Sequence, residues 1–91
     1  MKKRDRLEII EDILSVIRDR KGSAKPTHIL YKSNLSHQML VEYLSELMER
    51  GFVVENIDRK KRKTYDLSEK GYKYLEEYGK IRTFVDSYGL N

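Results

Sequence analysis

The densest chemistry in the chain lies in the run Asp58-Arg59-Lys60-Lys61-Arg62-Lys63, where five of six side chains are cations. Cations on a polar loop neutralise phosphates and release condensed counterions, so the chemistry such a run supports is the holding of a nucleic-acid backbone. A charged, solvated turn has the same composition, and charge of this kind supplies affinity and positioning rather than base reading. A second group, Ser36, His37 and Gln38, opens a helical pattern. At the start of a helix that faces a major groove, Gln38 suits adenine, Ser36 a phosphate, and His37 a phosphate or a base. The free amides of that first turn favour a phosphate as well. Ordinary capping accounts for the same residue types. Lys21, Lys25 and Lys32 stand around the preceding short helix and its turns, within reach of a backbone beside that helix start. Lys2, Lys3, Arg4 and Arg6 form a basic N-terminal arm. Against these stand Glu42, Glu46 and Glu49, further along the same helix, which would repel phosphates if they faced them. No arginine stands there to read a guanine. This favours weakly specific binding, or a pose that uses only the helix start.

Other chemistries lack their residues. There is no cysteine, and His28 and His37 are the only histidines, with no cluster of carboxylates beside them. No metal site and no disulfide is expected. Ser, His and acidic residues occur without a spacing that sets up nucleophile, base and orienting group, and there is no glycine-rich phosphate loop. Neither an enzyme nor a cofactor is expected. Among the tyrosines, Tyr43 and Tyr65 read as core-edge residues, Tyr31 as a neighbour of the turn or a phosphate contact, and Tyr72 as packing or part of a subunit interface.

The elements that must position the cations are small. Ninety-one residues suit one domain, with a thin core that buries roughly 60–65% of the unfolded surface. Nineteen Lys and Arg outnumber fifteen Asp and Glu, an excess that favours polyanionic partners. No apolar run approaches the ~20 residues of a membrane span. The start turns charged where a signal peptide needs an apolar stretch. A cytoplasmic protein, with association to the nucleoid, is the expectation.

Leu7, Ile10, Ile13, Leu14 and Ile17 recur at gaps of three and four within 4–20 and predict a first helix, stopped by Gly22. Pro26 starts a second, short helix through Tyr31, with Ile29 and Leu30 inward, and Lys32-Ser33-Asn34-Leu35 reads as the turn. Ser36 caps a third helix, whose inward stripe is Leu40, Tyr43, Leu44, Leu47 and Met48 and whose end is Gly51. Strand-prone residues follow on both sides of a tip spanning Asp58 to Lys63, namely Phe52, Val53, Val54 and Ile57, then Thr64, Tyr65 and Leu67. Ser68 caps a fourth helix with Glu69 in its first turn. Its residues Tyr74, Tyr78, Ile81, Val85 and Tyr88 are spaced four, three, four, three, with Leu75 and Phe84 beside them. That is a coiled-coil seam of about two heptads, and it points to a partner subunit. Gly79 inside it permits close approach, a kink or a break. The expected class is mainly α with a small β hairpin (α+β): a winged helix-turn-helix over residues 1–73 and a dimerisation helix over 74–91.

The stretch YKSNLSHQMLVEYLSELMERGFV, followed by YDLSEKGYKYLEEY, resembles the small archaeal winged-helix DNA-binding family typified by ten-kilodalton Sulfolobus chromatin-associated proteins. Its asparagine–leucine–serine turn matches Asn34-Leu35-Ser36. Its leucine pattern ending in glycine matches Leu40, Leu44, Leu47 and Gly51. Its leucine-threonine-glutamate-lysine-glycine signature matches Leu67 to Gly71, with serine for threonine. The resemblance implies double-stranded DNA binding and an elongated homodimer, joined by an antiparallel coiled coil of the C-terminal helices. The present chain departs in a longer, more basic wing tip and a shorter last helix. The expected function is double-stranded DNA binding through the third helix and the basic wing, as a transcription regulator; an architectural DNA coater of weak sequence specificity and a winged-helix protein-interaction module are the alternatives.

Overall fold

Asp5 starts the first helix: its carboxylate accepts from the Glu8 amide at 2.8 Å. Glu8 in the first turn and Arg18 in the last complement the helix dipole. The computed structural model describes residues 4–90. In chain order they form α1 (Arg6–Asp19), α2 (Pro26–Ser33), α3 (His37–Glu49), β1 (Val53–Ile57), β2 (Lys63–Leu67) and α4 (Glu69–Ser87). Among the described residues no helix is long and apolar enough to cross a membrane.

The chain leaves α1 through Lys21 and Gly22, both at positive φ. Ala24 then bridges to Tyr65, whose amide donates to the Ala24 carbonyl at 2.8 Å, so the loop before α2 lies along the edge of the hairpin. Pro26 opens α2, and His28 Nδ1 accepts from the Lys25 amide at 3.2 Å. The turn expected over Lys32 to Leu35 is shorter than its sequence suggested. Lys32 and Ser33 complete α2, Ser33 is fully buried, and the reversal begins at Asn34, at φ 52°. Asparagine tolerates the left-handed conformation that ends a helix, which places the break at Asn34. Ser36 then caps α3, accepting from the Met39 amide at 3.2 Å. Gly51, at φ 82°, turns the chain out of α3 while the Phe52 amide returns to the Leu47 carbonyl at 2.8 Å.

Strands β1 and β2 are antiparallel, with Val53 opposite Leu67 and Ile57 opposite Lys63. Lys63 therefore belongs to β2 and not to the tip. The core joins the α1 stripe of Ile10, Ile13, Leu14 and Ile17 to Ala24, Ile29, Leu40, Leu44, Leu47, Val53, Tyr65 and Leu67. Each buried Ile or Leu contributes about 1.5–3 kcal/mol over its exposed state. Leu7, expected on that face, is 54% exposed and borders α4 instead, in a hollow with Tyr78, Ile81 and Val85. Tyr43, Met48 and Leu30 sit at the edge of the core.

Ser68 holds two elements together. Its hydroxyl accepts from the Gly71 amide at 3.2 Å and donates to the Gly51 carbonyl at 2.5 Å. A Cβ at Gly71 would lie 2.4 Å from the Phe52 carbonyl oxygen, so only glycine lets α4 cross the start of β1 this closely. α4 continues through Gly79 without a break and extends the molecule to 50 × 29 × 21 Å. The division expected between residues 73 and 74 falls inside this helix.

Candidate nucleic-acid interface

The hairpin tip is built by Asp58. Its Oδ1 accepts from the Lys60 amide at 2.8 Å and the Arg62 amide at 2.9 Å, and its Oδ2 accepts from Arg62 Nε at 2.9 Å. The Asp58 amide donates to the Arg62 carbonyl and closes the turn. Lys61 completes the reversal at φ 61°. These hydrogen bonds, led by the one from the Arg62 amide, hold the Asp58 carboxyl below its ordinary value. The expectation of five free cations is corrected here: Arg62 is tied to the turn's own carboxylate, which it meets because the turn folds Asp58 and Arg62 face to face. Arg59, Lys60, Lys61 and Lys63 are exposed, and their side chains make no ion pair among the described residues. Asp58 reads from sequence only as a break in a basic run. An aspartate at the first position of a turn is nonetheless a known signal for this backbone trap.

The outer surface of α3 divides into two strips. Met39, Glu42, Tyr43 and Glu46 line a hollow together with Arg6. In it Arg6 bonds both carboxylate oxygens of Glu46 and lies 5.4 Å over the Tyr43 ring. The hydrogen bond from Arg6 draws the Glu46 carboxyl below its usual range. Arg4 pairs with Asp12 at 2.5 Å. The N-terminal basic arm is thus corrected in part. Arg4 and Arg6 are held by the protein's own acids, and Lys2 and Lys3 lie outside the described residues.

The other strip is neutral. His37, Val41, Ser45 and Met48 line a hollow between α3 and the hairpin, with Pro26, Lys63, Glu55 and Tyr65 on its far side. Glu55 accepts from the Tyr65 hydroxyl at 3.1 Å, and burial, helped by that carboxylate, pushes the phenol up to about 12. The tip-proximal half of the hairpin and one face of α3, from His37 to Met48, therefore share one concavity. A second hollow joins Lys25, Pro26 and Thr27 to Asp58, Arg62, Lys63 and Thr64 at the base of the tip.

Of the residues singled out from sequence, His37 and Lys63 meet in this concavity and Lys32 is exposed on the last turn of α2. The Ser36 oxygen is engaged in capping, leaving its hydroxyl hydrogen to donate. The Gln38 amide donates to Glu42 at 3.3 Å on the exposed side of α3. Val41 and Ser45 were not anticipated. They follow His37 by one and two turns, a spacing that marks the face once its direction is known.

The stripe on α4 also divides. Tyr74 packs on its own chain: its ring meets Phe52 edge-on at 6.1 Å, and its hydroxyl donates to the Leu7 carbonyl at 3.0 Å. Tyr78 stacks on Tyr74 at 6.0 Å. Tyr78, Ile81 and Val85 line a hollow with Leu7, Asp5, Glu8 and Arg82. Ile81, Phe84 and Tyr88 are 63%, 58% and 68% exposed, and Phe84 lies 4.7 Å from Tyr88.

Two helices meeting across an asparagine turn, followed by a hairpin and a helix that locks it, define a helix-turn-helix with a wing. The chain belongs to the winged helix-turn-helix family, which it matches over residues 3–85. It is similar to Sso10a-2, a DNA-binding protein from Sulfolobus solfataricus, with 27% identity, a TM-score of 0.75 and coverage of 94% of this chain and 90% of that one. It shares its fold with diamide-treated YodB from B. subtilis, at 21% identity and a TM-score of 0.75 over 89% of this chain and 86% of the other. It also shares it with MepR, a transcription regulator of the Staphylococcus aureus multidrug efflux pump MepA, at 15% identity and a TM-score of 0.72; the match covers 89% of this chain and 58% of MepR. No curated protein sequence matches significantly.

Proposed function

We propose that this protein binds double-stranded DNA as a transcription regulator, by setting the start of α3 into a major groove while the wing lies along the neighbouring backbone. The observation that carries this reading is the shared concavity of His37 and Lys63, with Arg59, Lys60 and Lys61, which make no ion pair among the described residues, in the wing tip just before Lys63. The pairing of Glu46 with Arg6 removes one of the three carboxylates that would oppose such docking. Lys32 and the donors at Ser36, His37 and Gln38 supply the remaining contacts. The likeness to a DNA-binding protein of Sulfolobus solfataricus supports the same reading, as does membership of a non-enzymatic family. The protein acts in the cytoplasm on the nucleoid, with no cofactor.

The active species is a homodimer. Tyr78, Ile81, Phe84, Val85 and Tyr88 supply the apolar seam, and an antiparallel pairing of α4 with its copy covers it. The C-terminal half of α4 is the dimerisation segment, while Tyr74 and Leu75 anchor it to the domain.

Titration of a mixed-sequence duplex across salt tests the reading. Replacing Arg59, Lys60, Lys61 and Lys63 with alanine is expected to weaken binding. It should also flatten the log K against log salt slope by about 0.9 for each phosphate that is no longer neutralised. An unchanged affinity and slope would refute the wing's role. Protection of a palindrome with half-sites about one helical turn apart is expected of a regulator. Even protection of any duplex would identify an architectural coater instead.

A further inference from the structure

We infer that the strip of α3 facing the wing reads the C5-methyl groups of thymine, with Val41 as the contact. The protein accordingly prefers A·T-rich duplex. This rests on the proposed docking of α3 in a major groove.

An exposed valine alone carries no message. Its position does. Val41 is 48% exposed, one turn beyond His37 and one turn before Ser45, in the hollow between α3 and the wing. The acidic residue lining that hollow is Glu55, which is already bonded to Tyr65. The carboxylate of Glu46 faces the other strip, with Arg6. Lys63 lines the hollow, and the unpaired wing cations lie beside it in the chain. Phosphates drawn to those cations bring the groove edge onto a neutral strip.

The side chains of that strip limit what it can read. Guanine is read by Arg or Lys and adenine by a two-pronged amide; His37, Val41 and Ser45 carry neither, and the amide of Gln38, beside them on α3, is already bonded to Glu42. A single hydroxyl or imidazole hydrogen bond discriminates poorly among base edges. The one apolar feature in the major groove is the thymine methyl, and an aliphatic side chain is its complement. Covering one methyl group is worth about fourfold in affinity.

Four duplexes of equal length separate the methyl from the rest of the base pair: alternating dA·dT, the same with deoxyuridine for thymidine, alternating dG·dC, and the same with 5-methylcytosine. The protein is expected to bind each methylated duplex at least about fourfold tighter than its unmethylated twin. Val41→Ser, checked for native circular dichroism, should bind both members of each pair equally and keep the salt slope of the parent. Equal binding of methylated and unmethylated duplexes by the parent overturns the inference while leaving DNA binding intact. Discrimination that persists in Val41→Ser overturns the assignment to Val41. Failure to bind any of the four overturns the docking itself.

Discussion

At the scale of the residue, Asp58 is the organiser of the wing. Its carboxyl is held below the ordinary value of 3.8, chiefly by the Arg62 amide. The stabilisation it gives the turn is therefore complete above pH 3.8 and is lost as pH falls through the lower folded value. The Lys60 and Arg62 amide proton shifts are expected to titrate together with a midpoint below 3.8, and to lose that titration in Asp58→Asn. Lys61 makes a separable case. At φ 61° it occupies the left-handed region, which costs a non-glycine residue about 1 kcal/mol. Lys61→Gly is expected to raise the unfolding free energy by up to that amount while weakening duplex binding. Such opposite signs, read by urea unfolding and by titration, would show a strained residue kept for its charge. Equal or greater duplex affinity would show that Lys61 does not touch the backbone.

At the scale of the element, two glycines in α4 have opposite meanings. Gly71 lies where the helix crosses β1, with the Phe52 carbonyl oxygen 2.4 Å from the site of a Cβ. Gly79 has nothing within 4 Å. Gly71→Ala must push the helix off the hairpin and is expected to cost about 1–3 kcal/mol. Gly79→Ala is expected to stabilise by about 0.8–1 kcal/mol through helix propensity. Urea midpoints of the two variants decide the matter, and a stabilising Gly71→Ala would refute the close crossing. The same element shows how far sequence periodicity reaches. The spacing of Tyr74, Tyr78, Ile81, Val85 and Tyr88 is that of one seam, yet Tyr74 is drawn into its own domain by Phe52 and the Leu7 carbonyl. Periodicity states that residues share a face. It does not state what covers the face at each level.

At the scale of the whole molecule, the 50 Å long dimension and the apolar end of α4 belong together. Ile81, Phe84 and Tyr88 are large, exposed and adjacent, as a subunit interface requires before it closes. Sedimentation at micromolar concentration is expected to give twice the chain mass, and Ile81→Glu with Phe84→Glu to give once that mass with native circular dichroism. Both substitutions fall on exposed positions, so the domain should fold without the partner. The double variant should also bind duplex more weakly, because one wing and one α3 would then act alone. A parent protein that sediments as a monomer would remove the dimer from the proposal.

Local physics was legible in the sequence. Ser36 and Ser68 cap because their hydroxyls reach backbone amides three residues on, Gly51 ends a helix because it accepts a positive φ, and the α1 stripe is buried because its period is that of a helix. These are interactions within a few residues, and one chain of letters contains them. Pairings between distant segments were not legible. That Arg6 is spent on Glu46, forty residues away, that Tyr74 turns inward, and that α3 shows the wing a neutral strip of His37, Val41 and Ser45 all depend on how the helices cross. Charge and apolar period name the groups available to a partner, but only their placement in three dimensions decides which are already taken and which are left to face it.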